Sequence, residues 1–231
     1  DDADNLLMNG GDSAFAVQPG RMNGTEVTMT DIIDAGIHQI TGPSAENKAI
    51  FLPEDILLNM QFVATSDEKV SNYTIMYDVR EYKNNDFNAL LQTDLSNSTD
   101  LEFCINENGC IGFWASGNWG YGGQVYAERW HRIVLTVKDG VPNAYLDGEL
   151  VTPGKADWNG LWCLDPSGCH LFGDDSNGRE RMEFEVAEIR YWDETLSAMQ
   201  VATLGEIDYK YIYSDTKKIE LLENKNEFTI D

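Results

Sequence analysis

Basic residues are scarce in this sequence. Its 231 residues include 16 Lys and Arg but 40 Asp and Glu, which gives a formal net charge of −24 at pH 7. Affinity for a nucleic-acid backbone comes from Lys and Arg that displace counterions from phosphates, so a chain with this excess of carboxylates is not expected to bind nucleic acid. The same charge disfavours binding to an anionic membrane surface.

Long apolar runs are also missing. No uninterrupted run approaches the roughly 18 residues that a transmembrane helix requires, and no signal peptide is visible. The polar start, Asp1-Asp2-Ala3-Asp4-Asn5, is typical of a mature or trimmed N-terminus. Because 42% of the residues are nevertheless hydrophobic, we expect a folded domain rather than a disordered acidic chain.

Common catalytic motifs are absent as well. The sequence contains no G-x-S-x-G elbow, P-loop, G-x-G-x-x-G or H-E-x-x-H motif. Its three histidines, His38, His131 and His170, are far apart in sequence. We therefore expect each of them to have a structural role rather than a catalytic one.

The chain has only four cysteines, in two pairs of equal spacing: Cys104 with Cys110 and Cys163 with Cys169. Each spacing encloses turn-forming residues, so a local disulfide across a hairpin loop is the simplest of the three pairings that four cysteines allow. Free thiols and a metal site are the alternatives, although zinc ligands usually lie closer together. Two disulfides would place the protein in the periplasm, at the cell surface or outside the cell.

From about residue 45 onward, the pattern is that of a β protein. Short runs of aromatic and β-branched residues alternate with Asn, Asp, Gly, Ser and Pro, as in a sandwich or a barrel. One helix is expected at 195–204, which starts with Thr and Ser and is followed by Gly205. The predicted strands are 48–63, 71–81, 87–95, 99–106, 110–116, 122–127, 130–138, 141–151, 168–174 and 181–192.

Two stretches resemble a known family. Residues 128–151 contain a W-H pair, a D-G turn and a Y-L-D-G turn, and residues 184–197 read F-E-V-A-E-I-R-Y-W-D-E-T-L-S. Together they resemble the LamG-like jelly-roll domains of the concanavalin A-like lectin/glucanase superfamily. The resemblance implies an all-β fold, a two-sheet antiparallel jelly-roll sandwich with one short helix near the C-terminus.

The resemblance covers about residues 45–205. Residues 1–231 are predicted to form a single domain around that core, because sandwiches of this length commonly do. Residues 1–44 are then an N-terminal extension that packs on the sandwich, and 206–231 are closing strands or the start of a further module. In this superfamily the sandwich serves as a lectin, an adhesion module, an accessory domain or a glycoside hydrolase, so candidate site residues must decide between these functions.

Aromatic residues, glycines and amides cluster at 113–126. Aromatic faces match the C–H faces of sugar rings, and amides match their hydroxyl groups. Trp119 and Tyr121 are therefore the predicted stacking platform, with Asn118 and Gln124 as hydrogen-bonding partners and Trp158 as a second stacking residue. The alternative is that these aromatic residues pack in the core while the glycines form tight turns.

A calcium ion is the one cofactor that the sequence suggests. The loop at 173–178 offers Asp174, Asp175 and Asn177 as hard oxygen ligands for a structural Ca²⁺. It does not have the spacing of an EF-hand, and a solvated acidic turn is the alternative.

Three acidic residues, Glu183, Glu185 and Glu188, suggest a catalytic alternative. A β-bulge near Ala187 would place all three on the strand face away from the core. Their spacing resembles the E-x-D-x-x-E motif on the catalytic strand of laminarinase-type glycoside hydrolases. Retaining hydrolysis needs two carboxyl groups about 5–5.5 Å apart. Two departures weaken this hypothesis: the central acid is Glu, and the run lies near the end of the chain.

The sequence thus predicts a non-catalytic carbohydrate-binding or adhesion module of an exported or cell-surface protein. Its partner would be a glycan, a glycosylated surface or a protein. The alternatives are a glycoside hydrolase that uses Glu183 and Glu188, and a structural or protein-binding module. The oligomeric state is not predicted.

Overall fold

The fold is taken from a computed structural model of the chain. It describes residues 15–21, 34–44, 47–62, 68–83, 86–95, 102–114, 120–155, 162–174, 180 and 182–207, with the backbone alone for 15–21, Phe62 and Trp114. In the described part of the chain, no helix has the length and apolarity needed to cross a membrane.

Strands dominate the described residues, as predicted, and one short helix follows them. The helix is α1 (Ala198–Leu204). The strands are β1 (Phe15–Arg21), β2 (His38–Thr41), β3 (Lys48–Leu52), β4 (Ile56–Phe62), β5 (Tyr73–Glu81), β6 (Asn88–Gln92), β7 (Glu102–Ile105), β8 (Ile111–Trp114), β9 (Tyr121–Gly122), β10 (Trp130–Lys138), β11 (Val141–Leu146), β12 (Glu149–Pro153), β13 (Cys169–Leu171) and β14 (Phe184–Trp192).

The strands form two antiparallel sheets of seven strands each. The first sheet has the order β1-β4-β13-β6-β7-β8-β9, and the second has the order β12-β11-β10-β5-β14-β3-β2. Strand neighbours that are distant in sequence, such as β13 between β4 and β6, are typical of a sandwich with long crossovers. The predicted jelly-roll sandwich is confirmed, and strands from the first 44 residues form one edge of each sheet.

The core lies between the two sheets and follows the alternation of the strands. Leu58, Leu91, Phe103 and Phe113 of the first sheet belong to the same buried cluster as Tyr77, Ile133 and Phe184 of the second. Since successive side chains of a strand lie on opposite faces, the residues between these positions lie on the outer faces.

Two Asp-Gly turns build the hairpins predicted within 128–151. Asp139 and Gly140 join β10 to β11 with φ of 50° and 76°, and Asp147 and Gly148 join β11 to β12 with φ of 52° and 89°. Positive φ at both central residues matches the right-handed twist of the flanking strands, which is why Asp-Gly is favoured there.

Helix α1 covers part of the outer face of the second sheet. Ser197 caps its first turn, and a reciprocal bond to Gln200 completes a capping box. Val201 packs against Met76, Val134 and Tyr145 of the sheet. The helix starts three residues later than predicted, since Ser197 rather than Thr195 is the cap.

Three predicted strands were wrong in extent. The run 141–151 is two strands, β11 and β12, separated by the turn at Asp147 and Gly148. The run 48–63 is two strands, because the carbonyl of Pro53 accepts a 3.0 Å bond from the Ile56 amide and closes a turn between β3 and β4. Of the run 122–127, only Gly122 is in a strand. The Val125 amide instead donates to the carbonyl of Gly109 at 2.8 Å, so the chain there packs on the β7–β8 turn.

The predicted disulfides are not formed, and all four cysteines are free thiols. Across the β7–β8 hairpin, Cys104 is paired with Gly112, whereas the Cys110 carbonyl accepts from the Asn106 amide. Equal spacing around a turn therefore did not place the first two cysteines opposite each other.

The second predicted pair is separated in a similar way. Cys169 is paired with Met60 in β4, while Cys163 precedes Leu164, which bridges to Val70. Because neither disulfide is present, the cysteines do not indicate that the protein is exported.

Candidate functional site

A row of four polar side chains crosses the outer face of the first sheet. Asn59 of β4 is paired in register with His170 of β13, His170 with Gln92 of β6, and Gln92 with Glu102 of β7. Residues paired directly across antiparallel strands lie on the same face of the sheet. Their strand neighbours, such as Leu58, face the core. We call these four residues the polar row.

The polar row becomes more buried along its length. Asn59 and His170 are half-buried and share a 2.8 Å hydrogen bond between Oδ1 and Nδ1. Gln92 is 0% exposed and Glu102 is 8% exposed. Neither amide atom of Gln92 has a hydrogen-bond partner among the described residues. This is unusual, because buried polar side chains are almost always hydrogen-bonded.

Two further carboxylates meet Glu102 at the buried end of the polar row. Asp174 follows β13, and Glu180 precedes β14. One oxygen from each of the three residues lies within 4.8 Å of the others. We call Glu102, Asp174 and Glu180 the acid cluster.

The acid cluster is electrostatically unusual. Burial, reinforced by Glu180 and then Asp174, raises the pKa of Glu102 to about 11. In the part of the chain that the structure describes, no Lys or Arg forms an ion pair with Glu102 or Glu180. Burial next to two other acids thus favours the protonated form of Glu102.

Tyr121 lies next to the acid cluster and is fixed by the strands beneath it. A Cβ on Gly112, its register partner, would lie 2.5 Å from Cδ1 of the tyrosine ring, so the ring lies over the glycine. Its hydroxyl is 3.3 Å from Sγ of Cys104, and its ring packs edge-on to Phe87. Burial raises the pKa of both Tyr121 and Cys104, so both groups are uncharged at neutral pH.

The predicted sugar-binding residues are only partly described. Asn118, Trp119 and Trp158 lie outside the described residues. Tyr121 is half-buried, with its hydroxyl turned toward Cys104. Gln124 is exposed, but its amide nitrogen donates to the carbonyls of Asn108 and Val125, so it also holds the local loop together.

The two segments that contain the predicted tryptophans adjoin residues that lie near each other. Gly120 directly follows residues 115–119, and Thr152 lies on β12, which precedes residues 156–161. A Cβ built on Gly120 would lie 3.8 Å from Cγ2 of Thr152. In addition, the Thr152 hydroxyl donates a 2.8 Å bond to the carbonyl of Ile111 and joins β12 to β8.

The acidic residues of the catalytic alternative lie on β14 and just before it, in the second sheet. The predicted β-bulge is present between Val186 and Glu188. Glu185 is buried, pairs with Arg80 and accepts a hydrogen bond from Tyr82, while Glu188 pairs with Arg190. Glu183 is exposed.

Two of the three acidic residues of the catalytic alternative, Glu185 and Glu188, are thus ion-paired with neighbouring arginines.

The structure describes one of the three residues predicted to bind calcium. Asp174 lies in the acid cluster, whereas Asp175 and Asn177 lie outside the described residues.

Three residues of this region were not predicted from the sequence: Glu102, Glu180 and Gln92. The alternation of Glu102 with the apolar Phe103 was a usable signal for an outer-face carboxylate, but nothing in the sequence connects Glu102 with Glu180.

The family comparison agrees with this architecture. The sequence model of a family described as the concanavalin A-like lectin/glucanases superfamily matches residues 60–202. No curated protein matches the chain in sequence.

Several solved structures share the fold at low sequence identity. Domain 4 of an extracellular arabinanase from Geobacillus stearothermophilus, solved in complex with arabinotriose, is 14% identical with a TM-score of 0.61, over 88% of this chain and 94% of that one. The receptor binding domain of botulinum neurotoxin D is 14% identical with a TM-score of 0.54, over 84% of this chain and 48% of that one.

A third similar structure is the binding domain of a paraclostridial mosquitocidal protein. It is 14% identical with a TM-score of 0.53, over 73% of this chain and 45% of that one. The chain thus spans nearly all of the arabinanase domain but about half of the two toxin chains. At this identity the likeness is one of fold.

Proposed function

The chain belongs to the concanavalin A-like lectin/glucanases superfamily, and on that premise we propose that it is a non-catalytic carbohydrate-binding module of an exported or cell-surface protein. The sugar lies where β8 and β9 meet β12. Trp119 and Trp158 stack on the sugar ring, Tyr121 adds the edge of its ring, and Asn118 and Gln124 bind hydroxyl groups.

The proximity of Gly120 to Thr152 carries this proposal, because a Cβ built on Gly120 would lie 3.8 Å from Cγ2 of Thr152. Gly120 directly follows Trp119 in sequence, and Thr152, on β12, precedes Trp158 in the segment after that strand. Two aromatic side chains on adjacent segments provide a surface for more than one sugar unit. The arabinanase domain solved with arabinotriose and the receptor binding domain of botulinum neurotoxin D agree with a binding role for this fold.

We propose that the module does not hydrolyse glycosides, because two of its candidate catalytic carboxylates are already ion-paired. Glu185 and Glu188 are paired with arginines and lie in the second sheet, away from β8 and β9. Because the ligand would be held by stacking and by a few hydrogen bonds, binding is expected to be shallow and reversible.

Affinity electrophoresis tests the proposal. The full chain is run through gels that contain soluble polysaccharides, with arabinan included because the arabinanase domain was solved with arabinotriose. Retardation by one polysaccharide class is expected. Trp119→Ala should weaken that affinity by about fivefold, since one aromatic contact contributes roughly 1 kcal/mol. The matched control is Tyr126→Ala, which removes a 57% exposed aromatic residue stacked near His131.

Unchanged affinity in both Trp119→Ala and Trp158→Ala would remove this site. No retardation on any polysaccharide would favour the protein-binding or structural alternative. Release of reducing sugar from a retarding polysaccharide would instead favour a hydrolase.

A further inference from the structure

We infer that Glu102, Asp174 and Glu180 bind a calcium ion that fastens the 174–180 segment to the outer face of the first sheet. The three residues come from different parts of the fold: the start of β7, the end of the β13 region and the approach to β14. This inference concerns a metal site and does not depend on sugar binding.

The geometry of the acid cluster suits a single hard cation. Ca²⁺ binds oxygen at about 2.3–2.6 Å, so ligands on opposite sides of one ion are about 5 Å apart. One oxygen of each cluster residue lies within 4.8 Å of the others. A single Ca²⁺ can therefore contact all three carboxylates without a large rearrangement.

Gln92 provides an independent observation. Its side chain is fully buried, and neither its amide oxygen nor its amide nitrogen has a hydrogen-bond partner. It is paired in register with Glu102, so the two side chains are neighbours on the same face. A side-chain amide oxygen is a common calcium ligand, and an ion at the acid cluster would give this orphaned amide a partner.

Two oxygens of the acid cluster, Oε2 of Glu102 and Oε2 of Glu180, are buried with no hydrogen-bond partner among the described residues. Three acidic side chains held this close repel one another unless a cation or protons intervene. All the donors are oxygens, which favours Ca²⁺ over softer metals such as zinc.

The three residues of the acid cluster differ in burial. Glu102 and Asp174 are buried, whereas Glu180 is half-buried. Asp174 and Glu180 flank residues 175–179, so an ion held by both would fix the two ends of that segment to β7. The expected role is structural.

Calcium titration of the metal-free chain tests the inference. After EDTA treatment and removal of the chelator, isothermal titration calorimetry should show one tight Ca²⁺ per chain, and Ca²⁺ should raise the melting temperature. Glu102→Gln and Glu180→Gln should each weaken that binding at least tenfold. Glu183→Gln is the matched control, because it removes the same charge from an exposed residue outside the cluster.

The control matters because a chain of charge −24 attracts Ca²⁺ weakly over its whole surface. Equal calcium affinity in the Glu102→Gln, Glu180→Gln and Glu183→Gln variants would overturn the site. So would the absence of saturable binding to the parent chain. If Glu102→Gln does not fold, Glu180→Gln decides, since Glu180 is only half-buried. No sugar enters the measurement, so its outcome is separate from that of the glycan experiments.

Discussion

Buried acidic residues on the outer faces of the two sheets differ in whether an arginine is paired with them. On the outer face of the second sheet, two buried carboxylates are matched by arginines: Asp78 by Arg132 and Glu185 by Arg80. On the first sheet, Glu102 and Glu180 have no such partner among the described residues.

This difference separates a structural role from a binding role. An internal ion pair satisfies its own charge and leaves nothing for a ligand. Carboxylates that share a buried position without a cation remain incomplete, and incomplete polar groups in a folded protein call for an explanation. For this reason we assign the paired residues to the scaffold and the acid cluster to a site.

Removing an arginine from the second sheet should have the largest effect. Arg132 donates two 2.7 Å hydrogen bonds to Asp78, and its Nη1 donates to the carbonyl of Leu204 at the end of α1. Burial raises the pKa of Asp78 even though Arg132 opposes that shift. Arg132→Met should therefore leave an unpaired buried carboxylate and lower the free energy of unfolding by about 3–5 kcal/mol, as measured by urea denaturation.

The exposed pair on β14 provides the control for that experiment. Arg190 and Glu188 are 50% and 37% exposed in their side chains, so water already screens their attraction. Arg190→Met should change the free energy of unfolding by no more than about 0.5 kcal/mol. Similar losses in the two variants would show that burial does not distinguish these pairs.

Neutralising one carboxylate on each sheet should have opposite effects. Glu185→Gln leaves Arg80 without its anion and replaces the charged acceptor of Tyr82 with a neutral amide oxygen, so it should destabilise the chain by about 1–2 kcal/mol. Glu102→Gln, measured in EDTA, replaces a carboxyl group whose charged form is disfavoured by burial and by two neighbouring acids with a neutral amide. It should leave stability unchanged or raise it by about 1 kcal/mol.

Denaturation of both variants in EDTA makes this comparison direct. A loss of stability in Glu102→Gln as large as that in Glu185→Gln would mean that the acid cluster is held by internal contacts, like the pairs of the second sheet.

Local pattern predicted much of the fold. The alternation of 130–138, the Asp-Gly turns and the phase change between Val186 and Ile189 each reflect the geometry of one strand or turn, so a single sequence contains them. Predictions failed where a contact between segments decided the outcome. The Val125 amide binds Gly109 instead of extending a strand, and Cys104 is paired with Gly112 rather than opposed to Cys110.

The candidate site was less predictable than the fold for the same reason. Asp174 was identified because oxygen-bearing residues cluster next to it in sequence. Glu102 and Glu180 approach Asp174 only because the strand order brings β7 and β13 close together in one sheet. Spacing along the chain does not encode that order, so the full ligand set could not be derived from it.

Glu81 is a third kind of acidic residue, neither ion-paired nor part of a cluster. Glu81 is 1% exposed at the end of β5, and its Oε2 accepts a 3.2 Å hydrogen bond from Asn88 of the opposite sheet. Burial raises the pKa of Glu81 to about 8, against an opposing effect of Asn88. Glu81 therefore keeps its proton at neutral pH in the folded chain and loses it in the unfolded chain.

The pH dependence of stability follows from this difference. Between pH 4.5 and about 8 the folded state holds a proton that the unfolded state has lost, so stability falls as pH rises, by up to about 1.4 kcal/mol per pH unit, and levels off above pH 8. Glu81→Gln mimics the protonated form, and subtracting its stability profile from that of the parent chain isolates Glu81 from other titrating groups. From pH 7 to 8 we expect the parent chain to lose about 1 kcal/mol relative to the variant. If the parent chain and Glu81→Gln have parallel profiles of stability against pH in urea denaturation, Glu81 is ionised in the folded chain. The fold would then accommodate a charged carboxylate between the sheets with neither a proton nor a cation to neutralise it.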